Sequence, residues 1–185
     1  MTAHSKIVVK RFCELCQTSY EAWRTHRVLF HNNPHAAELI KSPAGKALIR
    51  LDVIAQEYAL HQISKLHDPA IQKDQINLGI DYMVRFGGWD ETIKLKLQSL
   101  QKQLDEVPKK IRPARNKILS HNDLEAILNA STLGAFPDEA DTEYFKALEE
   151  FVSIVHENVI GEPWRFDTDV NAGLNLLFSS ILSLK

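Results

Sequence analysis

Apolar residues recur at helical spacing through almost the whole chain, and this periodicity constrains the fold more than any other feature. Val8, Phe12 and Leu15 fall at i, i+4 and i+7, which predicts a long first helix running to about His31. Similar stripes follow at Leu48, Leu51 and Ala55; Ile76, Ile80 and Met83; Trp89, Ile93, Leu97, Leu100 and Leu104; and Phe145, Leu148, Val152, Val155 and Val159. The β-branched run at 7–9 continues into the first stripe, so the sequence predicts no strand.

Short segments that start or stop helices separate these stripes. They are Asn-Asn-Pro at 32–34, Ser-Pro at 42–43, His-Asp-Pro at 67–69, Gly-Gly at 87–88, Val-Pro at 107–108 and Gly-Glu-Pro at 161–163. Shorter helices are predicted over about 75–85 and 109–119, another after a capping box of Asn122 and Glu125, and a last one at the C-terminus. The pattern predicts an all-α helical bundle of about four long helices with extra short helices, forming a single domain over 1–185.

Composition excludes several classes of protein. Apolar residues make up 44% of the chain, which is near the average for globular proteins. The formal net charge of −2 is untypical of a basic protein that coats nucleic acid. The two cysteines, Cys13 and Cys16, lie in a predicted helix without a second pair, so we expect no zinc ribbon, redox motif or disulfide framework. The N-terminus lacks a signal-peptide pattern and the apolar stretch at 174–184 is too short to cross a bilayer. We therefore expect a cytoplasmic protein without membrane association.

A basic segment stands out in this slightly acidic chain. Residues 109–117 contain five basic side chains and no acidic one: Lys109, Lys110, Arg112, Arg115 and Lys117. His121 and Asp123 follow. A charge run of this kind is often only a solvated helix face, but it is also suited to binding phosphates.

Within that segment, Arg115-Asn116-Lys117-Ile118-Leu119-Ser120-His121 resembles the signature of the HEPN superfamily, an Arg followed by a polar residue and then a His after four to six intervening positions. The phrase is similar to the abortive-infection U-type branch, as is Leu66-His67-Asp68. The resemblance implies a HEPN-like helical domain and a ribonuclease of toxin or antiphage abortive-infection type. It also implies a partner held in a separate chain, such as a nucleotidyltransferase antitoxin.

The residue types suit RNA cleavage without metal or cofactor. The 2′-OH attacks the adjacent phosphate, which needs proton transfer and a cation near the pentavalent phosphate. We predict that His121 transfers protons, that Arg115 stabilises the phosphate, and that Asn116 orients either the phosphate or His121. Lys109, Lys110, Arg112 and Lys117 are the predicted RNA-phosphate contacts.

Helix geometry separates the two main groups of this predicted site. Six residues of an ideal helix rotate by about 600°, which leaves Arg115 and His121 about 120° apart. Either the helix ends near His121, or the groups converge across a subunit boundary. A two-fold homodimer would place two motifs in one cleft and supply two histidines, so we predict a composite site. The alternative is a non-catalytic helical module that binds nucleotide, RNA or protein through the same patch.

Other histidines give weaker patterns. Arg24 and His31 also match the loose Arg–His spacing, but lack the Asn and the flanking basic cluster. His31 and His35 lie four apart with Pro34 between them, and two ligands without nearby carboxylates are too few for a metal site. We therefore predict no metal.

Overall fold

A computed structural model describes residues 6–33, 35–114 and 140–167, together with residues 173 and 176. Its elements are α1 (Lys6–His26), a π-helical turn (Arg27–His31), α2 (Ala36–Ile40), α3 (Gly45–Leu66), β1 (Ile71–Gln72), β2 (Gln75–Ile76), α4 (Ile80–Phe86), α5 (Glu91–Leu104), α6 (Glu106–Ala114) and α7 (Ala140–Ile160). The predicted all-α class is confirmed. The helix predicted at 122–125 and nearly all of the C-terminal helix fall outside the described residues. No helix within the described ranges is long and apolar enough to cross a membrane.

Two compact units make up the chain. Unit 1 contains Met1–Cys16 and Ile63–Arg165, and unit 2 contains Gln17–Gln62 and Phe166–Lys185. Helices α1 and α3 therefore each have residues in both units. The single domain over 1–185 stays a prediction.

The core of unit 1 forms around α5, which packs against α4, α6 and α7. Its predicted stripe is buried at Leu97, Leu100 and Leu104. The stripe of α7 is buried at Phe145, Leu148, Val152 and Val155, whereas Val159 is half-buried near the helix end. Phe12 of α1 packs edge-on against Phe151, with 5.9 Å between ring centroids. These contacts confirm the predicted buried stripes of α5 and α7. The other predicted stripes are only partly buried, since Leu15, Leu51 and Ile76 are exposed.

Unit 2 holds the second part of α1 and the turn that follows it. The backbone N–H of Asn32 donates to the Arg27 carbonyl at 2.7 Å, five residues back, so the helix widens into a π-turn before it stops. The predicted end of the first helix near His31 is thus correct, although its last five residues are not α-helical. Tyr20 stacks on Phe166 with ring centroids 4.7 Å apart.

A small hairpin contradicts the prediction that the chain has no strand. Ile71 pairs with Ile76 and Gln72 with Gln75 in an antiparallel ladder. Lys73, with φ of 55°, occupies the left-handed region in the turn between them. Each strand has only two residues, both exposed, so no alternating burial pattern exists to reveal them in the sequence.

Two predicted helix starts also move. The helix expected over 75–85 begins only at Ile80, because Gln75 and Ile76 pair with β1 and Gly79 is extended. An added Cβ at Gly79 would be 2.6 Å from the Leu66 carbonyl oxygen, so the chain packs closely against α3 there. The helix expected over 109–119 begins earlier, at Glu106. Pro108 lies in its first turn, where a missing N–H costs no intrahelical hydrogen bond, so Val107-Pro108 marks a start rather than a break.

Candidate functional site

The predicted catalytic residues Arg115, Asn116 and His121, together with Lys117, lie outside the described residues. Three other predicted phosphate contacts, Lys109, Lys110 and Arg112, belong to α6. The described part of α6 ends at Ala114, immediately before Arg115. Among the described residues, the candidate site therefore consists of the α6 side chains that precede the motif and of the groups that contact α6.

Helix α6 presents basic side chains to solvent. Lys109 and Lys110 are both exposed. The Lys109 ammonium donates to Glu106 Oε1 at 2.6 Å, and this hydrogen bond, with the two acidic neighbours Glu106 and Asp105, raises the pKa of Lys109. The side chain is charged at any physiological pH. It can contact a phosphate only by exchanging or sharing its carboxylate partner.

A buried histidine braces the junction between α5 and α6. His67 follows the end of α3, and its side chain is only 2% exposed. Its Nδ1 lies 2.8 Å from Oδ1 of Asp105, the residue between α5 and α6. Its Nε2 lies 2.9 Å from the hydroxyl of Tyr144 on α7. Three segments that are far apart in the chain thus meet at one imidazole.

The donors in this chain of hydrogen bonds follow from the partners. A carboxylate only accepts, so Nδ1 of His67 carries a proton and donates to Asp105. Burial raises the pKa of Tyr144 well above its ordinary value, and electrostatic interactions with Cys16 and Asp105 act in the same direction. Tyr144 therefore keeps its proton and can donate it to Nε2 of His67. With both ring nitrogens engaged, His67 is held as a positioning group.

A cleft opens beside this histidine. It has a volume of about 360 Å³ and is lined by His67, Pro69, Ile80, Asp81, Arg85, Gln101, Asp105, Pro108 and Lys109. Arg85 and Lys109 supply its cations, and Asp81 and Asp105 its carboxylates. Asp81 pairs with Arg85 at 2.8 Å and accepts a hydrogen bond from the Ala70 N–H at 2.9 Å, which fixes the start of the hairpin. The cleft thus combines apolar walls with charged groups of both signs and is bordered by α6.

The comparison with protein families agrees with this architecture. The family model described as AbiU2, of the HEPN class, matches residues 5–172. The chain belongs to the HEPN AbiU2 family. The matched range includes the Arg115-Asn116 and His121 positions, the whole of α6, and the His67–Asp105–Tyr144 chain. Searches among curated proteins and among solved structures gave no significant match.

Asp105 and Tyr144 were missed by reasoning from the sequence. His67 was noted only as part of Leu66-His67-Asp68, which resembles this HEPN branch. Its partners lie 38 and 77 residues further along the chain, so no local spacing connects the three. The available signal was a polar residue at a helix junction and a tyrosine on a face that is otherwise apolar.

The structure also shows the surroundings of Cys13, Cys16 and Arg24, which the sequence had raised as weaker candidates. Cys13 and Cys16 are free and buried, as expected for small residues packed on a helix. Burial raises the pKa of the Cys13 thiol to about 12 and that of Cys16 also well above its ordinary value. Arg24 lies over the Trp23 ring, 5.7 Å from its centroid. None of these three arrangements resembles a nucleophile or a phosphate site.

Proposed function

We propose that this HEPN AbiU2 protein is a metal-independent endoribonuclease and that Arg115, Asn116 and His121 carry its chemistry. One observation carries the proposal: the family match over residues 5–172 contains an Arg-Asn pair followed by His after four intervening residues. That motif directly follows α6 in the sequence, and α6 carries exposed Lys109 and Lys110. The basic approach and the motif together suit a chain of RNA phosphates.

The proposed reaction is an internal transesterification. The 2′-oxygen forms a bond to the adjacent phosphorus while the bond from phosphorus to the 5′-oxygen breaks. A base takes the 2′-OH proton, and an acid gives a proton to the leaving 5′-oxygen, so the products are a 2′,3′-cyclic phosphate and a 5′-OH. His121 serves in proton transfer, and Arg115 stabilises the charge on the phosphate oxygens.

The two proton transfers favour a composite site. One motif supplies one histidine, whereas a base and an acid are both needed. In a two-fold dimer, His121 of each copy would enter the same cleft, so one copy could supply the base and the other the acid. We therefore propose a homodimer in which each chain contributes half of the RNA-cleaving site.

The hydrogen bonds of His67 at the junction between α5 and α6 support this proposal. His67 holds Asp105 at the start of α6, so the helix that leads into the motif has a fixed origin in unit 1. Catalytic groups require placement to within a fraction of an ångström, and rigid elements provide it better than loops. The proposed biological role is an abortive-infection effector kept inactive by a separate antitoxin chain, with a nucleotidyltransferase as one candidate.

The proposal is tested by incubating the purified protein with total RNA, with and without a chelator. We expect cleavage in both conditions and fragments that end in a 2′,3′-cyclic phosphate. Cleavage that requires a divalent cation, or fragments with a 3′-OH, would contradict the mechanism.

The Arg115→Ala variant distinguishes an enzyme from a binding module. For the enzyme, we expect both RNA binding and cleavage to fall. A wild-type protein that binds RNA without cutting it, together with a variant that only loses binding, would favour the non-catalytic module. Arg50→Ala is the matched control, because Arg50 is an exposed arginine on α3 outside the motif.

A further inference from the structure

Three potential metal ligands come together in unit 2. They are His26 at the end of α1, His31 at the end of the π-turn, and Asp52 on α3. One ligand atom from each lies within 4.8 Å of the other two. Nε2 of His26 is 2.9 Å from Oδ1 of Asp52, and the rings of His26 and His31 have centroids 4.7 Å apart.

The π-turn explains why the two histidines meet. In a regular α-helix, residues five apart lie about 140° apart around the axis, so His26 and His31 would point in different directions. The bond from Asn32 N–H to the Arg27 carbonyl widens this turn and brings residues five apart nearly into line. Such π-turns occur often at functional sites, since they place side chains where an α-helix cannot.

We propose that His26, His31 and Asp52 form a binding site for one zinc-like divalent transition metal. Two imidazoles with one carboxylate suit zinc and its neighbours in the first transition row, rather than magnesium or calcium. Three protein ligands with a water as the fourth complete a tetrahedral zinc sphere. The carboxylate supplies the negative charge that partly balances the ion.

The arrangement needs little movement to accept the ion. In a tetrahedral site with bonds of about 2.0–2.1 Å, neighbouring ligand atoms lie about 3.3 Å apart. His26 and Asp52 are already at 2.9 Å, and the exposed His31 can rotate to close the remaining distance. His26 is held in place because its side chain is only 8% exposed, while His31 leaves a path from solvent. The site thus combines one fixed ligand with one adjustable ligand.

Metal binding would replace the hydrogen bond between His26 and Asp52. Without metal, Nε2 of His26 carries the proton and donates to the carboxylate, since the carboxylate only accepts. In the bound state the ring proton moves through solvent to Nδ1, and Nε2 and the carboxylate oxygen both turn to the ion. Burial is the main cause that lowers the pKa of His26, and the charges of His31 and Arg27 act in the same direction. The charge of Arg27 also opposes cation binding.

Reasoning from the sequence predicted no metal because it paired His31 with His35. Those two residues lie at the usual i, i+4 spacing, but His35 is at the start of α2, where its Nδ1 lies 4.0 Å from Glu38. The structure pairs His31 with a histidine five residues earlier and with a carboxylate from another helix. The proposed metal site does not depend on the ribonuclease proposal.

The test is zinc binding to the untagged, full-length, metal-free protein. We expect one Zn²⁺ per chain by calorimetry, the visible bands of four-coordinate Co²⁺, and a rise in melting temperature with Zn²⁺ but not with Mg²⁺. His31→Ala removes an exposed ligand without disturbing the core, and we expect it to weaken zinc binding by about 100-fold or more. His35→Ala is the matched control, since His35 is exposed and outside the cluster.

Two results would overturn the proposal. One is the absence of stoichiometric Zn²⁺ binding to the wild-type protein in the micromolar range. The other is equal binding by the His31→Ala and His35→Ala variants. Neither result bears on RNA cleavage, so a failed metal site and a failed ribonuclease remain distinguishable.

Discussion

Nδ1 of His67 lies 2.8 Å from Oδ1 of Asp105, so a buried imidazole after α3 holds the residue that immediately precedes α6. The other ring nitrogen is 2.9 Å from the Tyr144 hydroxyl. This arrangement connects α3, α7 and the junction of α5 with α6. It holds the first residues of α6, the helix that precedes Arg115 in the sequence, against the rest of unit 1.

Removing one hydroxyl should weaken this brace. We expect Tyr144→Phe to lower the free energy of unfolding by about 1 kcal/mol, because Nε2 of buried His67 loses its partner while the ring is kept. Urea denaturation measures the change. Tyr58→Phe is the control, since Tyr58 is 51% exposed and should change stability by less than about 0.5 kcal/mol. Equal effects of the two substitutions would show that the hydrogen bond to His67 contributes nothing.

The sequence predicts the helices of this protein well because their signal is local. The stripe from Phe145 to Val155 lies within one helix, and its burial repeats every three to four residues. The hairpin was missed because two-residue strands have no periodicity. The same hairpin makes α4 start later than predicted, because Gln75 and Ile76 pair with β1 instead of joining the helix.

The candidate sites also differ in how far the sequence alone reveals them. Lys109, Lys110 and the motif after them are visible as a run of residues. The His67–Asp105 contact spans 38 residues and the His26–Asp52 contact spans 26, so no spacing rule finds them. The π-turn adds a second reason, because it places His31 beside His26, a contact that the geometry of an α-helix does not predict.

Buried cysteines should make stability depend on alkaline pH. The Cys13 pKa is raised by burial from 9.0 to about 12, so the folded state holds its proton where the unfolded state releases it. This stabilising effect is complete below about pH 9 and is lost as pH rises from 9 towards 12. We expect the free energy of unfolding to begin to fall near pH 9, where unfolded thiols ionise, about one unit below the ordinary pKa of tyrosine. The Cys13→Ala/Cys16→Ala variant should lose most of that dependence; an unchanged slope would contradict the assignment.

The exposed lysines of α6 should contribute a salt-dependent part of RNA binding. Each phosphate contact to single-stranded RNA adds about 0.7 to the slope of log K against log salt concentration. We expect Lys109→Ala/Lys110→Ala to reduce that slope by about 1.4. Binding is measured by fluorescence anisotropy in a His121→Ala background, so that the RNA stays intact. Lys46→Ala, an exposed lysine of α3, is the control and should leave the slope unchanged.

A composite site requires two copies of the chain. We expect light scattering after size-exclusion chromatography to give twice the monomer mass of 21.1 kDa at concentrations where RNA is cleaved. Dilution below the dissociation constant should reduce the specific activity, because each half-site loses its second histidine. A protein that is monomeric at the assay concentration and still fully active would contradict the dimeric site.

The most direct test of the central claim compares RNA cleavage by His121→Ala and His61→Ala. Loss of a proton-transfer group typically slows a reaction by about 100-fold to 10,000-fold, and we expect the single-turnover rate of His121→Ala to fall by at least about 100-fold. His61 is an exposed histidine on α3 outside the motif, so His61→Ala should cleave at the wild-type rate. Wild-type cleavage by a folded His121→Ala protein would contradict the account.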